Sequence, residues 1–342
     1  MPEPTHPALD QAISTVPSTQ FHGVDGQAVR PCTPAAVTHR HLRMLDVHPG
    51  ANVMDIGIGS GLSAALLARL AGAEGRVTAI EIEPDIAKRA EALYVEHGHQ
   101  VTVAVGDGLL GYPPSAPYDR ILVGTTPPAI PDAWFQQLKP GGTLLCGARI
   151  ADLPGAYAIA RVTVDDHHQP HTVEIHHGGY TPMIADFPLE TTCRAVDPQQ
   201  PERALTILGE HEVGVAATLL TSLTETPYIA PTSAPGTDYF HLKNWLIATA
   251  PDGLLEATLD QGTGIGIGFL APNGAAQAAI VTEAHLITNQ AESPALDALG
   301  ALVRHWWETG APRTHELHAR LIREGETWHA RIAPAVTSFP HA

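Results

Sequence analysis

Residues 53–63 read VMDIGIGSGLS: an apolar run carrying Asp55 leads into Gly57, Gly59 and Gly61, and an apolar helical pattern begins immediately afterwards. Strand, glycine turn and helix in that order let a backbone approach a ligand closely, because glycine has no Cβ to stand in the way. The spacing Gly-x-Gly-x-Gly departs from Gly-x-Gly-x-x-Gly, the dinucleotide fingerprint in which a helix N-terminus faces a pyrophosphate. A nucleoside of another kind is therefore expected in this loop.

Outward from the loop, apolar runs alternate with amphipathic segments, the pattern of a parallel sheet covered by helices. NVMDI, RVTAIEI, QVTVAVG, YDRILVG and GGTLLCGARI read as five successive strands. LSAALLARLAG reads as a helix ended by Gly72, PDIAKRAEALYVEHG as a helix opened by Pro84, and IPDAWFQQL as a third. GAYAIARVTV and HTVEIHHGGY, joined by the polar DDHHQP, read as a hairpin.

Beyond it the chain is polar from Glu190 to Pro201, where a domain boundary is expected. The organisation that follows is a lead-in over 1–50 contributing to the substrate site, a cofactor-binding domain over 51–190, and an extension over 191–342. Within the extension, TPYIAPTSAPGTDY reads as a loop and the stretch 240–287 as short strands broken by glycine turns. The glycines of GTGIGIGFL fall among those strands and read as a glycine-rich ribbon, not a second nucleotide loop. SPALDALGALVRHWWETG has a serine cap, an apolar face and a closing glycine, and its Trp306 and Trp307 read as core and docking residues.

Composition narrows the function. The 342 residues carry 19 Lys and Arg against 36 Asp and Glu, a formal charge of −17 that repels phosphate backbones, so nucleic acid is not an expected partner. No apolar run approaches the ~18 residues of a membrane span, and the N-terminus lacks the basic and apolar blocks of a signal peptide, so a cytoplasmic location with no membrane partner is expected. Three scattered cysteines, Cys32, Cys146 and Cys193, fit reduced thiols. The histidines His167, His168, His171, His176 and His177 read as exposed hairpin residues; no metal is expected.

Three features stand at the carboxyl ends of successive strands: Gly57, Gly59, Ser60 and Gly61 after the first, Glu81 and Ile82 after the second, Gly106, Asp107 and Gly108 after the third. Ligands of open α/β sheets bind beyond those ends, near the point where strand order reverses. Glu81, 20 residues past Gly61, is spaced to accept from both hydroxyls of a ribose. Asp107 is placed to accept from an exocyclic amine such as N6 of adenine. Asp55 adds negative potential that favours a sulfonium. S-adenosylmethionine satisfies every one of these requirements. Each acidic residue also has a structural reading: Glu81 a solvated strand end, Asp107 a turn former, Asp55 an anchor for the glycine loop.

The residues 53–98, the stretch VAVGDGLLGYPPSAPYDRILVGTTPPAIPDAWFQQLKPGGTLL and the lead-in FHGVDGQAVRPCTPAAV together resemble the protein-L-isoaspartate O-methyltransferases over roughly residues 20–185. The resemblance implies a doubly wound, Rossmann-like class I methyltransferase sheet, here followed by a smaller α+β C-terminal domain. It also implies methyl transfer from S-adenosylmethionine to a peptide carboxylate, leaving S-adenosylhomocysteine.

Two departures bear on the substrate. Where the repair enzymes carry Ser-x-Pro, this chain reads Pro31-Cys32-Thr33-Pro34, so the serine position falls on Cys32 or Thr33; Thr33 keeps the hydroxyl and is preferred as the carboxylate contact. The extension, through NWLIATAPDGLLEATLDQGTG, HWWETGAPRTHELHARLI and GETWHARI, resembles those of homologues that methylate an aspartate in ribosomally made peptides such as lanthipeptides and lasso peptides. The expected chemistry is methylation of an aspartate, leading to aspartimide and from it isoaspartate. The alternatives are isoaspartate repair and a peptide-binding module that holds the cofactor without catalysis.

Overall fold

In the computed structural model of the chain, which describes residues 6–23, 25–27, 29–183, 192–225 and 227–334, Asn52–Ile56 forms a strand, β1, buried along its whole length. That burial requires cover on both faces, and the flanking helices supply it. Ahead of β1 lie α1 (Pro7–Thr15) and α2 (Ala35–Leu45); after it come α3 (Leu62–Ala71), β2 (Arg76–Glu81), α4 (Pro84–His97), β3 (Thr102–Val105) and β4 (Tyr118–Val123). Next are β5 (Ile130–Pro131), α5 (Asp132–Gln136), β6 (Leu138–Arg149), β7 (Tyr157–Val164) and β8 (Pro170–His176).

Seven of these strands form one sheet in the order β3-β2-β1-β4-β6-β7-β8, parallel from β3 to β6 and antiparallel at β7 and β8. This is a doubly wound α/β architecture with an antiparallel edge. The strand order reverses between β1 and β4, which places a crevice between their carboxyl ends. Gly61 opens α3 at φ 102°, and Pro84 opens α4 at a position whose N–H has no helical partner anyway. The expected third helix shrinks to α5, little more than one turn, because its first residues are taken by β5.

The extension folds around a second seven-stranded sheet, entirely antiparallel. Its strands are β9 (Thr192–Val196), β10 (Ala204–Leu208), β11 (Tyr228–Pro231), β12 (Leu254–Leu259), β13 (Gly262–Leu270), β14 (Ala276–Val281) and β15 (His285–Thr288). They run in the order β11-β15-β14-β13-β12-β10-β9, with α6 (Val215–Glu225), α7 (Thr237–Thr249) and α8 (Pro294–Glu308) packed around them. The expected boundary between 190 and 191 falls in residues 184–191, outside the described ones; Thr192–Val196, within the same polar stretch, is strand β9.

Two expectations for this half are corrected. Residues 228–231 of the expected loop are an edge strand. FHLKNWLIATA, expected among the strands, lies in helix α7, where Tyr239, His241, Leu242, Trp245, Leu246 and Ile247 are all buried. A helix enclosed on nearly every side has no polar face to reveal its 3.6-residue period, which is why the pattern misled. The glycine ribbon is β13: a Cβ on Gly266 would come within 1.9 Å of Ala279 O in the neighbouring strand. Ser293 caps α8 by accepting from Leu296 N at 3.1 Å; Trp306 is fully buried, and Trp307 is 44% exposed.

A hairpin of β16 (His318–Glu324) and β17 (Thr327–Ala333) returns from the extension to pair with β5, Trp328 opposite Ile130. One apolar cluster runs through both halves, from Met54, Trp134 and Leu153 to Tyr239, Trp245 and Trp306. The extension is thus packed on the loops at the carboxyl edge of the first sheet. Among the described residues, no helix is long and apolar enough to cross a membrane.

Candidate active site

The glycine loop folds over the end of β1 with Gly57 at φ 84°, Gly59 at φ 53° and Gly61 at φ 102°, backbone angles that side-chain-bearing residues rarely adopt. Two groups on α4 hold it in place. Arg89 donates to Ser60 O at 3.1 Å and to Phe21 O at 3.0 Å, joining the loop to the lead-in, and Tyr94 donates its hydroxyl to Gly61 O at 3.1 Å.

Glu81, buried at the end of β2, accepts from Ile82 N at 2.9 Å and Glu83 N at 3.2 Å through Oε1, and from Gly59 N at 3.4 Å through Oε2. The carboxylate is therefore fixed against the glycine loop. Ile82 beside it is 64% exposed, an apolar surface on which a purine can rest. Asp107 is exposed beyond β3 and accepts from Leu109 N at 2.9 Å, so it does form the turn, between Gly106 and a buried Gly108. A Cβ on Gly108 would lie 2.4 Å from Ile56 Cγ2, so the third loop is packed directly on β1. The structure thus brings Gly57, Gly59, Ser60, Gly61, Glu81, Ile82 and the Gly106–Gly108 turn to one edge of the sheet.

Asp55 is fully buried; its Oδ2 accepts from Ser63 Oγ at 2.6 Å, tying β1 to the first turn of α3. Burial pushes its pKa up to about 7, Ser63 opposes that shift, and the nearby Glu81 charge adds to it. Oδ1 has no partner among the described residues. A buried carboxyl poised in this way is drawn toward its ionised form by a cation bound nearby. Glycines that admit a backbone-hugging ligand, a fixed ribose acceptor and this carboxyl are the chemistry S-adenosylmethionine calls for, and the residues present fit it.

The lead-in and the loop after β4 stand against the glycine loop. A Cβ on Gly59 would lie 3.0 Å from Pro31 O and 3.9 Å from Cys32 Cα, so the lead-in crosses directly over the cofactor loop. Cys32 and Thr33 are both half-buried. Past β4, Thr126 accepts from Met183 N at 2.8 Å through its carbonyl and donates its hydroxyl to Tyr180 O at 2.8 Å, which fastens this loop to segment 180–183.

The histidines divide. His167 and His171 are exposed, as expected of a hairpin, and His168 is half-buried. His176 and His177 are not hairpin-exposed; the extension packs over them. Arg40 donates to His177 Nε2 at 2.7 Å and to His177 O at 2.9 Å, the His177 ring meets His241 of α7 edge-on at 4.8 Å, and His176 stacks on His315. Arg40 also donates to His41 Nε2 at 3.0 Å. Because an arginine has no acceptor, both imidazoles must present a bare nitrogen to it. Among the described residues, no group of three His, Cys, Asp or Glu is arranged to hold a metal.

Burial first, then Arg40, lowers His41 to about 3 and His177 to about 4; burial and then Arg313 lower His241 to about 4, all from the usual 6.5. The unfolded chain therefore takes up protons before the folded one does. The stability these rings carry is complete above about pH 6.5 and is lost as the pH falls through about 4. Urea midpoints measured across that range are expected to decline with acidity, and less steeply in His177→Gln, which keeps an acceptor for Arg40. Equal slopes for the two proteins would contradict this assignment.

Arg89 and Tyr94, which hold the glycine loop, and Arg40, which holds His177, escape a reading of the sequence. Each acts through a partner far away in the chain, and no local spacing marks that.

Residues 26–152 match the family model described as protein-L-isoaspartate(D-aspartate) O-methyltransferase (PCMT). A protein-L-isoaspartate O-methyltransferase of Methanopyrus kandleri is 45% identical over 104 residues, 30% of this chain and 46% of its own length. One of Ignicoccus hospitalis is 46% identical over 101 residues, 29% of this chain and 48% of its own. The chain thus spans about half the length of the curated relatives it matches. A solved protein-L-isoaspartate O-methyltransferase aligns over 95% of this chain and 94% of its own at 15% identity, with a TM-score of 0.46.

Proposed function

We propose that this chain, whose residues 26–152 match the PCMT family, is an S-adenosylmethionine-dependent O-methyltransferase acting on the side-chain carboxylate of an aspartyl residue in a peptide. The observation that carries the reading is the convergence at one strand-order reversal of the glycine loop, the fixed Glu81 carboxylate and a lead-in so close over Gly59 that a Cβ there would lie 3.0 Å from Pro31 O. Cofactor cradle and acceptor channel share one wall.

When bound, S-adenosylmethionine supplies a methyl group activated by a sulfonium. The aspartyl carboxylate, with a reference pKa near ~3.9, is already ionised at neutral pH, so no general base is needed. The chain's work is proximity and orientation, which supply about 7–11 kcal/mol when attack geometry is held. Glu81 holds the ribose and Asp107 addresses the base. Thr33, with Cys32 beside it, aims the carboxylate through hydrogen bonding that leaves its charge intact.

The finer reading is that the substrate is a ribosomally made, modified peptide, of the lasso or lanthipeptide kind, methylated on an ordinary aspartate. Esterification gives the carboxyl carbon a better leaving group. The next backbone nitrogen attacks it, methanol departs, and an aspartimide closes that water can open to isoaspartate. A second sheet and a hairpin docked beside the 127–131 loop favour this reading, because a dedicated enzyme discriminates by extended contacts whereas repair needs an open cleft.

Paired peptides of one sequence, with aspartate or isoaspartate at one position, test the direction. Mass spectrometry is expected to find one added methyl and then loss of methanol on the aspartyl form. Turnover confined to the isoaspartyl form would establish repair instead. Cofactor binding with no methylation of either would leave a binding module.

A further inference from the structure

Thr125 and Thr126 are neighbours past the carboxyl end of β4, and their hydroxyls are in opposite states. Thr126 Oγ1 donates to Tyr180 O at 2.8 Å and accepts from Tyr180 N at 3.3 Å. Thr125 Oγ1 is also buried, yet it has no hydrogen-bond partner among the described residues. Its side chain packs against the first glycine of the cofactor loop: a Cβ on Gly57 would lie 3.2 Å from Thr125 Cγ2 and 3.8 Å from Thr125 Oγ1. The orphan hydroxyl therefore stands at the strand-order reversal between β1 and β4. Native proteins seldom leave a buried hydroxyl unmatched, and one kept at the mouth of a binding crevice calls for a partner from outside.

Resting on the carboxyl-methyltransferase reading above, we propose that Thr125 is a substrate-contacting residue whose hydroxyl donates to one oxygen of the acceptor carboxylate and so turns the other toward the methyl group. Two observations favour the acceptor over the cofactor as its partner. Glu81 and the Asp107 turn lie past β2 and β3, on the opposite side of β1 from Thr125. With the ribose and the base addressed from that side, Thr125 is left to the carboxylate that approaches from the other. The loop that carries Thr125 is also fastened, through Thr126, to segment 180–183 and, through Ile130, to the hairpin of the extension. It is one of the parts of the cofactor domain that the extension touches. A hydroxyl suits the role chemically, because it donates without transferring its proton and leaves the carboxylate nucleophilic.

The test compares Thr125→Val, which keeps the shape and removes the hydroxyl, with Thr125→Ser, which keeps the hydroxyl, both in the full chain. For Thr125→Val, kcat/KM toward the methyl-accepting peptide is expected to fall roughly 10- to 100-fold, the range for a hydrogen bond to a charged group. Its affinity for S-adenosylhomocysteine, read by calorimetry, is expected to stay within about twofold, and its ligand-free thermal midpoint to hold or rise, since a methyl replaces an unmatched polar atom. Thr125→Ser is expected to recover most of the activity. An undiminished kcat/KM in Thr125→Val would overturn the assignment, as would a matching loss of S-adenosylhomocysteine affinity or a lowered ligand-free midpoint. Failure of the wild-type protein to methylate any carboxylate is a separate result: it would remove the underlying reading and this contact with it.

Discussion

Replacing Glu81 by alanine is expected to weaken S-adenosylhomocysteine binding by roughly 100-fold or more. Hydrogen bonds to a charged partner are worth about 1.5–3 kcal/mol each, and in the proposed pocket two ribose hydroxyls would share this carboxylate. The loss has a second source within the protein. Glu81 accepts from Gly59 N, Ile82 N and Glu83 N, so its removal also frees the glycine loop that shapes the cradle. Glu81→Gln separates the two contributions: it keeps an acceptor for the backbone but halves the carboxylate's capacity toward the ribose, and it is expected to fall between wild type and alanine. Calorimetric titration decides the point, and an alanine variant binding within a few-fold of wild type would leave Glu81 as a clasp for the glycine loop and not a ribose contact.

The second large effect is on stability. Asp132 begins α5, is 5% exposed, and is a point where the extension is fastened to the loop after β4. Its Oδ1 accepts from Trp328 Nε1 at 2.8 Å, its Oδ2 from Arg323 at 3.4 Å, and its own N–H donates to Glu326 O at 2.9 Å. Arg323 also lies 5.6 Å over the Trp328 ring, and Trp328 meets Phe135 edge-on at 6.0 Å. Asp132→Ala strands the indole N–H and releases the arginine, for an expected loss of about 2–3 kcal/mol in urea unfolding. Because β5 ends the 127–131 loop, the peptide KM should rise as well. Stability within about 0.5 kcal/mol of wild type would show that the hairpin is held by its apolar contacts alone.

The first sheet was legible in the sequence because each of its elements carries its own punctuation: glycines at the turn, Pro84 at the start of α4, Gly72 and Gly98 at helix ends. The cofactor loops were legible for the same reason, since each directly follows its strand. The extension was harder to read. Helix α7 is enclosed by apolar neighbours, and strand β11 is a short edge of exposed residues ending in Pro231, so neither shows the period of its own structure. The burial of His176 and His177 depends on Arg40, His241 and His315, and the state of Thr125 depends on Gly57. Contacts of that range are set by tertiary packing, and no spacing within one segment encodes them.

The central claim is that the crevice between β1 and β4 delivers a methyl group to a carboxylate. Incubating the full chain with S-adenosylmethionine labelled in its methyl group and an aspartyl peptide, then raising the pH, tests it directly. Methyl esters of carboxylates release methanol in base, so the account predicts label carried by the peptide that becomes volatile on alkaline treatment, abolished in Glu81→Ala. Label that stays on the peptide through base would place the methyl on nitrogen, sulfur or an ether oxygen and contradict the account.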